Sequence, residues 1–336
     1  MTRSRPIAPP RIRATRQGVP GQPADAGLRP GPTFGQVADL ARALLATNVD
    51  PVVRYRILRD VLDAQVSPRL VAEAAREAER SPWVRRLIEA QRADGSWGRF
   101  HTENTREAGW PPTTEYAVER ALALGLDRRH PVMRKAADYM AEVLAGRRAW
   151  PDPPERNDRW ATGVQLITAA TLALVDSDHP ALDRVWGLWL EIVQRAFRSG
   201  TYDSQAEASA HRELTGASVQ RSYLTLDNRY TITLLGRESR ALPHALRKAL
   251  LGWLCDKADG IGYLQVPLRN LPPGLTSNVL DRWLRSWEVL SGIAGWHEYA
   301  GQAMVQLWAA QGGVRGLGLR PPAPPVSVLS FVRGLA

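Results

Sequence analysis

Leu87-Ile88-Glu89-Ala90-Gln91-Arg92-Ala93-Asp94-Gly95-Ser96-Trp97-Gly98 is the stretch from which the fold can be read. An apolar-periodic segment runs into a glycine, and a tryptophan follows two residues later. Glycine adopts the left-handed backbone that ends many helices, so the string predicts a helix terminus followed by an aromatic staple. The pairing returns at Gly146 with Trp150, at Gly200-Thr201-Tyr202 and at Gly260-Ile261-Gly262-Tyr263, with a worn copy at Gly316-Leu317-Gly318. The steps between these glycines are 51, 54, 60 and 56 residues. Each interval holds two helices and a connection. A period of this size marks supersecondary units that stack to share one core.

The segments between the glycines carry the helical period. Apolar residues recur at three and four in Val132–Leu144, Val185–Ala196 and Val279–Leu290. Asp50-Pro51, Ser67-Pro68, Ser81-Pro82, His130-Pro131 and His179-Pro180 each place proline at a first helical position. Strand patterns are almost absent. The expected fold is all-α: about five helical hairpins within a single domain at 33–318, with a first helix near 34–47. Residues 319–336 form a Pro-rich extension. Residues 1–32 form an Arg/Pro/Gly-rich leader without hydrophobic period, which predicts disorder.

The string from Gln91 to Gly98 resembles the QW motif of squalene–hopene cyclases and prenyltransferase-like proteins. That resemblance implies an α/α toroid with an inner ring of helices inside an outer ring. In it, the glutamine and tryptophan tie the end of an outer helix to the next hairpin. It covers about residues 50–318 as architecture and one motif as sequence. Leu307-Trp308-Ala309-Ala310-Gln311 keeps the helical half, but Gly316-Leu317-Gly318 lacks the tryptophan, and no glutamine precedes Tyr263 at the expected place. The resemblance implies an apolar or isoprenoid-type ligand in a central cavity, with cyclase, isomerase or lyase chemistry of an unconventional kind. The acid motif DxDD of such cyclases is absent. The nearest string, Asp176-Ser177-Asp178-His179-Pro180, reads as a connection with an N-cap. Zinc prenyltransferases of this fold use an Asp-x-Cys pair, whereas Cys255 is here followed by Asp256. No metal and no cofactor are expected.

Composition narrows the class further. In 336 residues, 44 Lys and Arg stand against 34 acids, a formal net charge of +10. Half of that excess sits in the leader, where Arg3, Arg5, Arg11, Arg13, Arg16 and Arg29 face only Asp25. The leader has no apolar core of a secretory signal; a solvated tail, a transit peptide and a nucleic-acid contact stay open for it. The body carries no nucleic-acid footprint. One cysteine excludes a disulfide framework and suits a reducing compartment, so a cytoplasmic location is expected. No apolar run approaches the ~18–20 residues of a membrane span.

Candidate site residues follow from the repeat. Short connections fall around Leu126–His130, Asp176–His179, Arg237–Pro243 and Ile293–Gly295. Long ones fall at roughly 99–111, 151–159, 203–221 and 264–274, and a ring of hairpins gathers them on one rim, where binding usually resides. The helices after these loops, near 112–125, 160–175, 223–236 and 276–292, are the expected inner ring. Glu115, Asp227 and Asp281 stand at comparable depth in three of them, as candidates for catalytic carboxylates. Facing one another, they would raise at least one pKa and supply a general acid. Equally, acids in a first helical turn complement the helix dipole, and Asp281 with Arg285 is an ordinary four-apart pair. Trp97, Trp150, Tyr202 and Tyr263 read as staples between layers. Trp110, Trp160 and Tyr223 are the ligand-binding candidates, with His101 as a polar residue near the cavity mouth. His101-Thr102-Glu103 resembles the H-x-E element of zinc deaminases, but the paired cysteines are absent. Three functions stay open: an isoprenoid-type ligand in a toroid, a non-catalytic scaffold with a protein partner, and a carbohydrate-active toroid.

Overall fold

A computed structural model describes residues 33–102, 109–219, 223–236, 242–270 and 276–313. The leader, the Pro-rich extension and the worn repeat at Gly316 lie outside the described residues. Among the described residues are thirteen α-helices: α1 (Phe34–Leu45), α2 (Pro51–Asp60), α3 (Pro68–Glu79), α4 (Pro82–Glu89), α5 (Thr114–Ala123), α6 (Pro131–Leu144) and α7 (Trp160–Val175), followed by α8 (Asp183–Ala196), α9 (Ser204–Thr215), α10 (Arg229–Leu235), α11 (His244–Asp256), α12 (Ser277–Leu290) and α13 (His297–Gly313). The only β pairing among them is an isolated parallel bridge between Asn228 and Gly262. The protein is all-α, as its punctuation predicts.

The helix starts follow local chemistry. Pro51, Pro68, Pro82 and Pro131 open α2, α3, α4 and α6, where a missing amide hydrogen is harmless. The side chains of Asp50, Ser67, His130 and His179 accept bonds from the amides that follow them. His179 thus serves as the cap expected of it, opening a 3₁₀ turn at Pro180–Leu182 that leads into α8.

The described repeat glycines share one conformation, with φ of +91° at Gly95, +69° at Gly146, +88° at Gly200 and +68° at Gly260. At Gly95 a β-carbon would also come within 2.2 Å of the Lys135 carbonyl oxygen, so two constraints coincide there. Next to it, Gln91 Nε2 donates to the carbonyls of Gly95 (3.0 Å) and Val132 (2.8 Å), pinning the turn after α4 to the first turn of α6. Trp97 is 4% exposed, and its Nε1 donates to the Leu87 carbonyl at 2.9 Å. Gln91 thus ties the turn after α4 to α6, and Trp97 ties the segment after that turn back to α4.

Helix α7 is apolar on nearly every side, which marks a core helix. It packs against α5, α6, α8 and α10. The helices expected as an inner ring touch in chain order, α5 with α7, α7 with α10 and α10 with α12. At the far end of α5, Arg56 donates to the carbonyls of Leu122 and Ala123, and Arg59 to that of Gly125, while Asp60 binds both arginines. The C-terminus of α5 is thereby held by α2.

Two boundaries depart from expectation. The connection expected at 203–221 contains α9, started by Asp203, which accepts from Gln205 and Ala206, and stopped by Gly216 at φ +71°. Its apolar positions are mostly alanines, too weak a period to stand out. Helix α10 begins at Arg229 and not near 223, because the Asn228 side chain accepts from the Tyr230 amide and fixes the cap there. No helix among the described residues is long and apolar enough to cross a membrane.

Candidate functional site

The site grows from the first turn of α5. Thr113 caps the helix, its Oγ1 accepting from the Tyr116 amide. The segment 97–100 then runs alongside this turn. The Trp97 amide donates to Thr114 Oγ1 (2.9 Å), the Thr114 amide to the Arg99 carbonyl (2.7 Å) and the Glu115 amide to the Phe100 carbonyl (3.0 Å). Beneath it, buried Phe100 stacks on Trp150 with ring centroids 4.4 Å apart. From the other side the Asp152 carboxylate accepts from three consecutive amides, those of Phe100 (2.6 Å), His101 (2.9 Å) and Thr102 (2.7 Å). These constraints deliver the His101 ring to Glu115.

Glu115 is 5% exposed and uses both oxygens. Oε2 lies 2.6 Å from His101 Nδ1, and Oε1 accepts from Tyr230 Oη at 2.6 Å and from the Arg229 guanidinium. Arg229 also reaches Glu119 Oε1 at 2.7 Å and Tyr230 Oη at 2.9 Å. Burial pushes the Glu115 carboxyl up, but bonds from His101 and Tyr230 and the charge of Arg229 outweigh it and hold it below the usual range. An ionised carboxylate only accepts, so Nδ1 of His101 carries its proton toward Glu115. The bond to Glu115 raises the His101 pKa against the opposing effect of burial, and the charge of Asp152 adds to the rise. The His101 side chain keeps 34% exposure, and no partner is found for Nε2 among the described residues. A histidine oriented by a buried carboxylate, with its second nitrogen unpartnered among the described residues, is equipped to move a proton.

An aromatic lip stands beside the pair. Tyr230 meets His101 edge-on at 6.0 Å, and Tyr263 meets Tyr230 edge-on at 6.0 Å. The Gly262 amide donates to the Asp227 carbonyl (2.8 Å), which fixes the residue before Tyr263 against the turn that leads into α10. Tyr263 is 53% exposed and has φ +71°, a conformation that L-residues with large side chains rarely hold. The staple role expected of Tyr263 is therefore corrected: its ring lies half in solvent, unlike buried Trp97 or Tyr202 stacked on Trp253.

The three candidate carboxylates do not converge. Asp227 pairs with Lys257 Nζ at 3.0 Å, and Asp281 pairs with Arg285 at 2.9 Å on the same helix. Glu115 faces an imidazole and a guanidinium where a second candidate carboxylate was expected, so its pKa falls where repulsion would have raised it. The carboxyl held above its usual range is Glu207 on α9, raised by burial and by the charge of Asp227 and bonded to the Tyr202 hydroxyl and the Leu226 amide. Its distance from the apolar period of the chain gave no signal of it. Trp110 is half-buried with the Arg86 guanidinium 4.6 Å above its ring, and Trp160 meets Trp150 edge-on at 6.2 Å. Tyr223 lies across α7 at Gly163, where a β-carbon would come within 2.3 Å of its ring. Of the expected site residues, the structure brings His101 and Glu115 together. Arg229, Tyr230 and Asp152 complete the cluster, and only their spacing beside named candidates hinted at them.

A cleft of about 250 Å³ opens at the short connection Leu126–His130, lined by Tyr55, Glu79, Leu124 and Asp127 among others; no candidate residue lines it. Glu103, of the His101-Thr102-Glu103 string, lies outside the described residues. Among the described residues no group of three or more His, Cys, Asp or Glu side chains is placed to hold a metal ion. No protein-family model, curated protein or solved structure matches the chain.

Proposed function

We propose that the chain is an α/α-toroid protein of the cyclase-like kind whose rim carries an acid–base pair, His101 oriented by Glu115, acting on an apolar or isoprenoid-type small molecule. The observation that carries this reading is the 2.6 Å contact between His101 Nδ1 and a buried carboxylate, with no partner for Nε2 among the described residues. The toroid is supported by the chain-order contacts of α5, α7, α10 and α12 and by the left-handed glycines that end successive units. The ligand class is supported by internal charge balance. Arg229 is matched by Glu115 and Glu119, so the cluster offers little net charge to a charged substrate, while Tyr230 and Tyr263 offer ring faces.

The reaction class follows from acidity. Protonating an isolated alkene needs a far stronger acid than imidazolium, and Glu115 is held ionised. Proton transfer by His101 fits isomerisation or elimination, in which one carbon loses a proton and another gains one or loses a leaving group. A sugar-directed reading comes second, favoured by the half-exposed ring of Tyr263. The test is a paired screen of thermal shift and turnover across isoprenoid, terpenoid and oligosaccharide panels, comparing wild type with His101→Gln. A hit from the isoprenoid or terpenoid set that needs His101 is expected. A ligand response untouched by His101→Gln would overturn the acid–base role, and an oligosaccharide hit would move the assignment to the second reading.

A further inference from the structure

We infer that Asp152 is a positioning residue for the proton transfer assigned to His101: its buried carboxylate grips the backbone on both sides of the histidine and so sets where the imidazole stands against Glu115. The inference rests on the acid–base reading of His101. Its geometry is specific. Oδ1 accepts from the Phe100 amide at 2.6 Å, and Oδ2 from the amides of His101 and Thr102 at 2.9 and 2.7 Å. Three consecutive amides converging on one carboxylate form a concave anion cradle, here filled by a side chain of the protein itself. None of the three residues belongs to a helix, so these amides have no ladder to satisfy them. Asp152 is itself buried, and it arrives from the connection that leads into α7. The loop that bears the histidine is thus fixed by the neighbouring repeat unit.

An aspartate suits this task and an asparagine does not. An amide group keeps one acceptor oxygen but turns an NH₂ toward an amide that also donates, so one of the three bonds becomes a donor–donor clash. The electrostatic consequence runs the same way, because the Asp152 charge supports the protonated imidazole of His101.

The test uses the full chain and needs no substrate. Histidine-labelled protein is titrated by nuclear magnetic resonance, with His101 identified by its loss in His101→Gln among the six histidines of the chain. Hydrogen exchange is followed at the amides of Phe100, His101 and Thr102. In Asp152→Asn the His101 midpoint is expected to fall by about half a pH unit or more, with exchange at the three amides faster by at least about tenfold. Leu250→Ala, a core truncation on α11, serves as the control: it lowers the melting temperature and leaves the His101 midpoint in place. An unmoved His101 midpoint in folded Asp152→Asn overturns the proposal, as does a midpoint that falls equally in the control. Should Asp152→Asn not fold, wild type still decides. The proposal requires the three amides to exchange as slowly as buried helical ones, and fast exchange overturns it. A failure of the acid–base reading is separate, since it shows as a ligand response indifferent to His101→Gln while the titration still reports on Asp152.

Discussion

His101 and Glu115 come from different segments, and their side chains meet at 2.6 Å because the Glu115 amide is itself bonded to the carbonyl of Phe100, the neighbour of His101. Backbone and side-chain contacts thus reinforce each other across one turn of α5. Glu115→Gln should lower the His101 midpoint and cost about 2 kcal/mol or more, because the buried anion shared by Arg229 and Tyr230 is lost, which outweighs the repulsion from Glu119 that is relieved. Denaturant melts beside a histidine titration check both. The sign on pH is fixed by the raised His101 pKa. Its contribution to stability is fully present below about pH 6.5, the unfolded value, and is lost as pH rises through the higher folded value. Glu115→Gln should flatten that loss.

Trp97→Ala should destabilise by about 3–5 kcal/mol, since a large buried aromatic is removed. Trp97→Phe keeps most of the ring but leaves the Leu87 carbonyl without its donor, for a loss of about 1–2 kcal/mol. Equilibrium unfolding of the two variants measures the split. A Trp97→Phe variant as stable as wild type would show that the indole N–H contributes nothing.

His211 on α9 is fully buried, edge-on to Trp189 at 5.0 Å, with no hydrogen-bond partner for either ring nitrogen among the described residues. Burial pushes its pKa down to about 4. The unfolded chain takes up this proton first as pH falls, so stability is lost progressively from about pH 6.5 toward pH 4, on the order of 3 kcal/mol in all. The Glu207 carboxyl, 4.0 Å away and raised by burial, works in the opposite direction and offsets part of the loss. His211→Phe should be near neutral at pH 7 and more stable than wild type at pH 4.5. A difference in stability that stays constant with pH would show that His211 titrates normally.

Tyr263→Gly relieves a left-handed backbone, worth about 1 kcal/mol, and removes the ring that stands beside Tyr230. Stability should hold within about 1 kcal/mol of wild type while the response to any panel ligand falls. Tyr263→Ala removes the ring without the relief, so a comparison of the two variants by melting separates strain from contact. A full ligand response in both would remove Tyr263 from the site.

The sequence alone determined what depends on near neighbours. Glycine needs no partner to turn left-handed, proline needs none to open a helix, and the apolar period of α6, α8 and α12 is written along the chain. Gly95, Gly146, Gly200 and Gly260, the proline-led helices and the all-α class were therefore legible. Glu115 and His101 were legible as candidates because each sits beside a long connection and a helix start. Tertiary structure decided the rest, because charge and burial are settled by residues far apart in the chain. The bond from His101 and the charge of Arg229, over a hundred positions after Glu115, turn an expected proton donor into a fixed anion. Asp227 pairs with Lys257 and Asp281 with Arg285, and Asp152 reaches back fifty residues to hold the loop of His101. A side chain's type is local information, but its ionisation depends on which groups the fold brings to within hydrogen-bond distance of it.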